Sequence, residues 1–277
     1  MGKVKTKYLL QRSVSIYRKN GLLDLLRAVR RFVISGSLRY ELLNLVPATK
    51  SILKLYIRCG RLVYPSHFTD ANPFKILWVD PDEITRAVSG GSIPMRFGKV
   101  YRGDWDRTSS CFKNRPVYRA MESHFRSGVP WEKTEYYNLK RNKLEKGKST
   151  RGCVSVDDLS NYFARFDDLY HSLKTEGYKT QQELMEESPN ETIILNLDAP
   201  IPELNEIGVC IGRDGELFRR YRGEHRLAIA KVADVDAVAI QVLVRQRKWQ
   251  QLRNTLRKNP SANTTRTNHP DLGDLPT

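Results

Sequence analysis

Ile211-Gly-Arg-Asp-Gly-Glu-Leu-Phe218, running on into Arg222-Gly-Glu-His-Arg-Leu-Ala-Ile-Ala-Lys231, combines a tight turn, a short strand and a glycine-led helix start. Asp214-Gly215 has hairpin-turn chemistry, because Gly accepts the positive φ such a turn needs, so Glu216 to Tyr221 reads as the returning strand. Gly223 marks the change from strand to helix. Backbone N–H groups without intrahelical partners meet the positive end of the helix dipole there, and His225 and Arg226 add side-chain donors, which suits a phosphate. The same ten residues also fit an ordinary junction in which an arginine pairs a local carboxylate.

Around this segment lie two further blocks in a familiar order. Gly223-Glu224-His225-Arg226 leads a helix with Ala228 and Ala230, followed by the apolar run Ala237-Val-Ala-Ile-Gln-Val-Leu-Val244. Leu77-Trp-Val-Asp-Pro-Asp-Glu-Ile84 reads as an opening strand and turn. Leu169 to Gln181 reads as a helix ending at Gly177 before a loop. Together the three blocks resemble the ParB/sulfiredoxin superfamily over roughly residues 74 to 250, with about 90 to 165 left as a large insertion. The resemblance implies a mixed α/β, ParB/sulfiredoxin-like core that binds a nucleotide (CTP, ATP or ADP) at the Gly-led helix. It also implies that Lys179 and Thr180 in the loop after Gly177 face nucleotide or substrate. Relatives range from DNA-segregation clamps to sulfinic-acid repair and serine phosphorylation, so the fold leaves the function open.

Departures narrow that range. Glu224 stands where sulfiredoxins carry a reactive Cys, and the roughly thirty residues after the last strand are too few for the helix-turn-helix of segregation proteins. His225 replaces the first of two arginines, making the motif less cationic and adding a titratable proton. A carboxylate beside a phosphate is repelled unless something intervenes. Glu224 is thus expected to cap the helix, share a divalent cation such as Mg²⁺, or act as a base. The other carboxylates that fit such chemistry are Asp104 and Asp106, in Lys99-Val-Tyr-Arg-Gly-Asp-Trp-Asp106. On an extended segment they share one face and could hold a metal or deprotonate a hydroxyl if Gly103 lets the loop approach Gly223. Trp105 anchoring an ordinary turn is the alternative.

The 277 residues carry a net charge of +16, unevenly spread. Residues 1 to 68 hold 14 Lys/Arg against Asp24 and Glu41, and residues 245 to 277 hold 7 against Asp271 and Asp274. The basic character therefore belongs to the ends, where it could attract nucleic acid or an anionic membrane surface. No run approaches the apolar length of a membrane span and the first residues lack an apolar signal block, so an intracellular protein is expected. Cys59, Cys111, Cys153 and Cys210 show no paired spacing, which points to reduced, mostly buried thiols.

The organisation follows from periodicity. Residues 1 to 68 form a basic amphipathic helical segment, with Leu22, Leu26, Val29 and Val33 on one stripe and a second stretch from Leu42 to Leu62 broken near Pro47. Residues 69 to 250 form the core domain, with Ser89-Gly-Gly-Ser92 as a linker. Ser155 and Asp158 make a capping box for a helix from about Val156 to Glu176. Arg247 to Lys258 is a last basic helix, and residues 251 to 277 comprise its end and a disordered tail from Asn259.

Overall fold

In the computed structural model the chain divides into two compact units, residues 1–72 and 73–277. The structure describes residues 49–88, 97–187, 201–259 and 268–276. The expected helix around Leu22 to Val33 and the Ser89-Gly-Gly-Ser92 linker lie outside them. In the first unit, helix α1 (Thr49–Val63) starts just beyond Pro47. Leu53 and Ile57 form its buried stripe, and Gly60 extends it because a Cβ there would lie 2.3 Å from the fully buried Phe68 ring.

The second unit opens with β1 (Ile76–Val79) and a 3-10 turn capped by the Asp80 side chain, then β2 (Arg86–Ala87), β3 (Lys99–Tyr101) and β4 (Ser110–Cys111). Helices α2 (Pro116–Ser127), α3 (Glu135–Glu145), α4 (Val156–Thr175) and α5 (Gln181–Glu187) follow. The chain continues through β5 (Ile207–Ile211), β6 (Leu217–Arg219), α6 (Glu224–Val232), β7 (Val238–Gln246) and α7 (Arg247–Lys258). The described residues are thus mixed α/β. Their strands form one mixed sheet in the order β1-β7-β5-β6-β2-β4, with β3 also on β7.

β7 is the spine of the sheet. All nine of its residues are buried, which explains why the apolar run reads continuously instead of alternating. β5 runs parallel to it, β1 pairs antiparallel with its first half, and β3 pairs parallel with its last residues. The β5–β6 hairpin closes where expected, with Gly215 at φ +97. Ser155 and Asp158 form the capping box of α4, and Gly177 at φ +79 follows that helix.

The described part of the expected insertion, residues 97 to 165, packs into the core. Phe112, Val117, Tyr118, Met121, Trp131, Tyr137 and Phe163 belong to the same buried cluster as Leu227 and Ile229. The physical reason lies in α6, whose residues Leu227 to Val232 are all buried, so it needs cover on every side. Helices α2 and α4 provide that cover.

The expected disorder of the tail after α7 is corrected at residues 268–276. His269, as N-cap, and Pro270–Leu272 form a 3-10 turn that seats Asp271, only 2% exposed, against α7 and the end of β7. Its carboxylate accepts from Arg245 Nε (3.0 Å) and Trp249 Nε1 (2.9 Å), with Arg253 Nη1 at 3.4 Å. Composition suggested disorder; one buried acid between two buried guanidiniums decides otherwise. The thiol expectation holds only in half, since Cys153 and Cys210 are buried while Cys59 and Cys111 are exposed, all four being free.

Candidate functional site: a cationic cleft at the start of α6

Gly223 is the N-cap of α6 and adopts φ +74. A Cβ there would lie 2.7 Å from the backbone of Ile207, so conformation and space both exclude a side chain. Just ahead of it, Gly208 and the chain from Arg220 to Arg222 bond each other, Arg220 N–H to Gly208 O at 2.7 Å and Gly208 N–H to Arg222 O at 3.3 Å. These bonds fix the approach to the helix. A cleft of about 370 Å³ opens there, lined by Arg151, Arg219, Tyr221, Arg222, Glu224 and Arg226 among others.

Arg219 is the cleft's most confined cation. Its side chain is 9% exposed; Nη2 donates to Tyr221 O at 2.7 Å and Nη1 lies 3.5 Å from Glu224. Its Nε is buried with no hydrogen-bond partner. Burial, opposed by Glu224 but reinforced by the charges of Arg115, Arg220 and Arg151, pushes the guanidinium down to about 10. Arg151 enters from a separate turn, at φ +53 and exposed, between Thr150 and Cys153, which bond each other's backbones. The cluster was missed in the sequence, although Arg219-Arg-Tyr-Arg222 directly ahead of Gly223 is a dense cationic run.

The motif's own residues sit at the cleft with altered roles. Glu224 does not cap the helix, for Gly223 leaves the cap without a side-chain bond; its carboxylate instead accepts from Arg115 and faces Arg219. Arg226 lines the cleft but is held by a buried carboxylate: Nη1 lies 3.1 Å from Glu206, whose side chain is 1% exposed, and Nη2 donates to Asn205 O. The Tyr178 hydroxyl and the Gln181 N–H also donate to Glu206, at 3.2 and 2.6 Å. Burial nevertheless keeps this carboxyl above its usual range. The local carboxylate pairing that the sequence allowed is therefore present, at the wall of the cleft.

His225 is packed among aromatics. Its ring stacks on Phe166 at 4.8 Å, and Nε2 lies 2.8 Å from the Tyr136 hydroxyl and 3.3 Å from that of Tyr162. Burial first, then the charges of Arg151, Lys140 and Arg219, lower its pKa to about 3. At neutral pH it therefore brings no charge to a phosphate. The unfolded chain takes a proton on this histidine near pH 6.5 while the folded chain does not, so the unfolded state binds more protons below that pH. Stability is expected to fall by roughly 1–2 kcal/mol between pH 7 and 5, with a same-signed share from His269, which burial also lowers. Urea unfolding of the wild type and of His225→Gln should show a flatter slope in the variant; parallel slopes would refute the assignment.

The remaining expected residues are not brought into the cleft. Lys179 is paired with Glu176 (2.6 Å) and Glu187 (2.8 Å), and Thr180 caps α5 through reciprocal bonds with Glu183. Thr180-Gln-Gln-Glu183 is a capping-box pattern, and Gln181 is the loop residue that lines the cleft. Asp104 and Asp106 both bind Arg213, in the turn of the β5–β6 hairpin, at 2.6 Å each. Trp105 meanwhile packs edge-on against Phe218. Burial works against the Asp106 charge, but Arg213 outweighs it and holds the carboxyl below its usual range. Gly223 sits beside Ile207 at the other end of β5, six residues from Arg213 or about 20 Å of extended chain. Hence the Asp-Trp-Asp loop clamps a turn. Among the described residues no group of three His, Cys, Asp or Glu side chains could hold a metal ion, and no helix is long and apolar enough to cross a membrane.

Comparison of the chain with protein-family models, with curated proteins and with solved structures finds no match.

Proposed function

We propose that the cleft at the start of α6 binds a nucleotide, with phosphate groups drawn to Arg219, Arg222 and Arg151 and to the open N–H groups of the helix. The observation that carries this reading is Arg219, a buried guanidinium with an unpaired Nε among like charges, which an anion would satisfy. The resemblance of Gly223-Glu-His-Arg226 to the ParB/sulfiredoxin superfamily supports the same ligand class. A cleft of about 370 Å³ is of the size small ligands occupy. Phosphoryl transfer to a small hydroxylated molecule, or hydrolysis, would use Glu224 as base, because it is the one carboxylate among the lining side chains.

Thermal unfolding with nucleoside di- and triphosphates, with and without Mg²⁺, tests the reading. A ligand at a hundred times its Kd stabilises by about 2.7 kcal/mol, a rise of roughly 5–10 °C for a domain of this size. Arg219→Gln should abolish the rise. Arg151→Ala, at an exposed position that cannot unfold the core, should reduce it. No shift with any nucleotide or with pyrophosphate at millimolar concentration would sink the proposal.

A further inference from the structure

We propose that Tyr221 is the stacking platform for the ligand's base, so that the cleft selects a flat ring as well as phosphate; this rests on the nucleotide reading above. Among the described residues only Arg151, Tyr221 and Asp234 hold a positive φ without being glycine, and the first two line this cleft. Tyr221, at φ +75, carries a large side chain where an L-residue is sterically penalised. Backbone bonds on either side hold it there. Arg220 N–H and Arg222 O both bond Gly208, and the Arg219 guanidinium holds the Tyr221 carbonyl. This bracket turns the ring outward. It is 44% exposed, while its neighbours Arg219 and Arg220 are buried.

The ring's surroundings suit a nucleobase. The Arg222 guanidinium stands 5.3 Å from the ring centroid, so a ring and a cation already form a stacked pair at the mouth of the cleft. Aromatic side chains with an arginine beside them bind bases through their π-faces, with little preference among bases. Tyr221 also precedes the N-cap by two residues, about 7 Å of chain, which places the platform next to the phosphate position without overlapping it. A ring held outward in a strained conformation next to Arg219, whose buried Nε has no hydrogen-bond partner, is thus explained by one ligand that carries both a base and phosphates.

Calorimetric titration of the full chain with ADP, CDP and pyrophosphate, on wild type, Tyr221→Phe, Tyr221→Ala and Tyr221→Gly, separates the parts. Tyr221→Ala should weaken ADP and CDP about tenfold, as removal of one stacking partner does, and leave pyrophosphate unchanged. Tyr221→Phe should restore nucleotide binding. Tyr221→Gly should lose nucleotide in the same way while melting higher than wild type, because glycine adopts this φ freely. A merely structural tyrosine would not show that opposite movement. Undiminished ADP binding by Tyr221→Ala, or an equal loss of pyrophosphate, overturns the stacking role while the phosphate site stands; failure of the wild type to bind any of the three overturns both.

Discussion

Arg226→Ala should cost the protein about 3–5 kcal/mol, the range seen when one partner of a buried ion pair is removed. The sequence alone suggests a side chain devoted to a ligand, whose loss would spare the fold. The structure gives it Glu206, whose side chain is 1% exposed and would be left charged without its guanidinium. Tyr178 and Gln181 would still donate to that carboxylate, so the deficit should fall toward the lower end. Because burial already raises the Glu206 pKa, removing Arg226 raises it further, and the folded variant should take up a proton as the pH is lowered. The difference between wild type and variant in urea unfolding should therefore shrink on acidification. Adding Glu206→Gln should recover part of the loss at neutral pH. A single variant as stable as wild type at pH 7 would show that the pair contributes nothing.

Asp271→Ala should have an effect of similar size at the other end of the unit. It leaves Arg245 and Arg253, with side chains 3% and 0% exposed, without the carboxylate between them, and removes the acceptor of the Trp249 indole. Asp274, 3.0 Å from Arg253, remains and limits the damage. About 3 kcal/mol is expected, or roughly 10 °C in melting temperature. Burial opposes the Asp271 charge, yet the two arginines hold its carboxyl below the usual range. Its contribution is thus present above the ordinary aspartate pKa and lost as the pH falls through the lowered one, so the variant and wild type should converge only in strong acid. Removing residues 259–277 should reproduce the loss; an unchanged melting temperature would show that the tail is not a structural plug.

Local patterns in the chain were legible where the physics is local. Ser155 and Asp158 face each other across one helical turn, Gly223 is required by its own φ and by Ile207, and β7 carries its burial in an apolar run interrupted only at Gln241 up to Val244. Arg247 to Lys258 likewise forms the helix its periodicity indicates. Partners set by tertiary adjacency were not legible. Arg213 meets Asp106 across 107 positions and Arg115 meets Glu224 across 109, and no spacing rule links such residues. The same holds for the cleft: its glycine and acid could be read, but the guanidinium of Arg151 arrives from a turn about seventy residues earlier. His-Pro-Asp-Leu272 could have been read as a capped 3-10 start, yet nothing in its composition announces that Asp271 is buried.

The placement of β7 also governs when the sheet can assemble. Ile76 of β1 pairs with Gln241, 165 residues later, and β3 and β5 lean on the same late strand. At roughly 5–20 residues per second of synthesis, β1 must wait on the order of ten seconds or more with no neighbour to complete its edge. Helices α2 to α4 can form in that interval from contacts close in sequence, whereas β1 and β3, which pair only with β7, cannot, so the emerging chain passes through a stage with helices made and those edges open. A nascent chain halted before Val238 should accordingly be more protease-sensitive, and more readily held by chaperones, than one released a few dozen residues later.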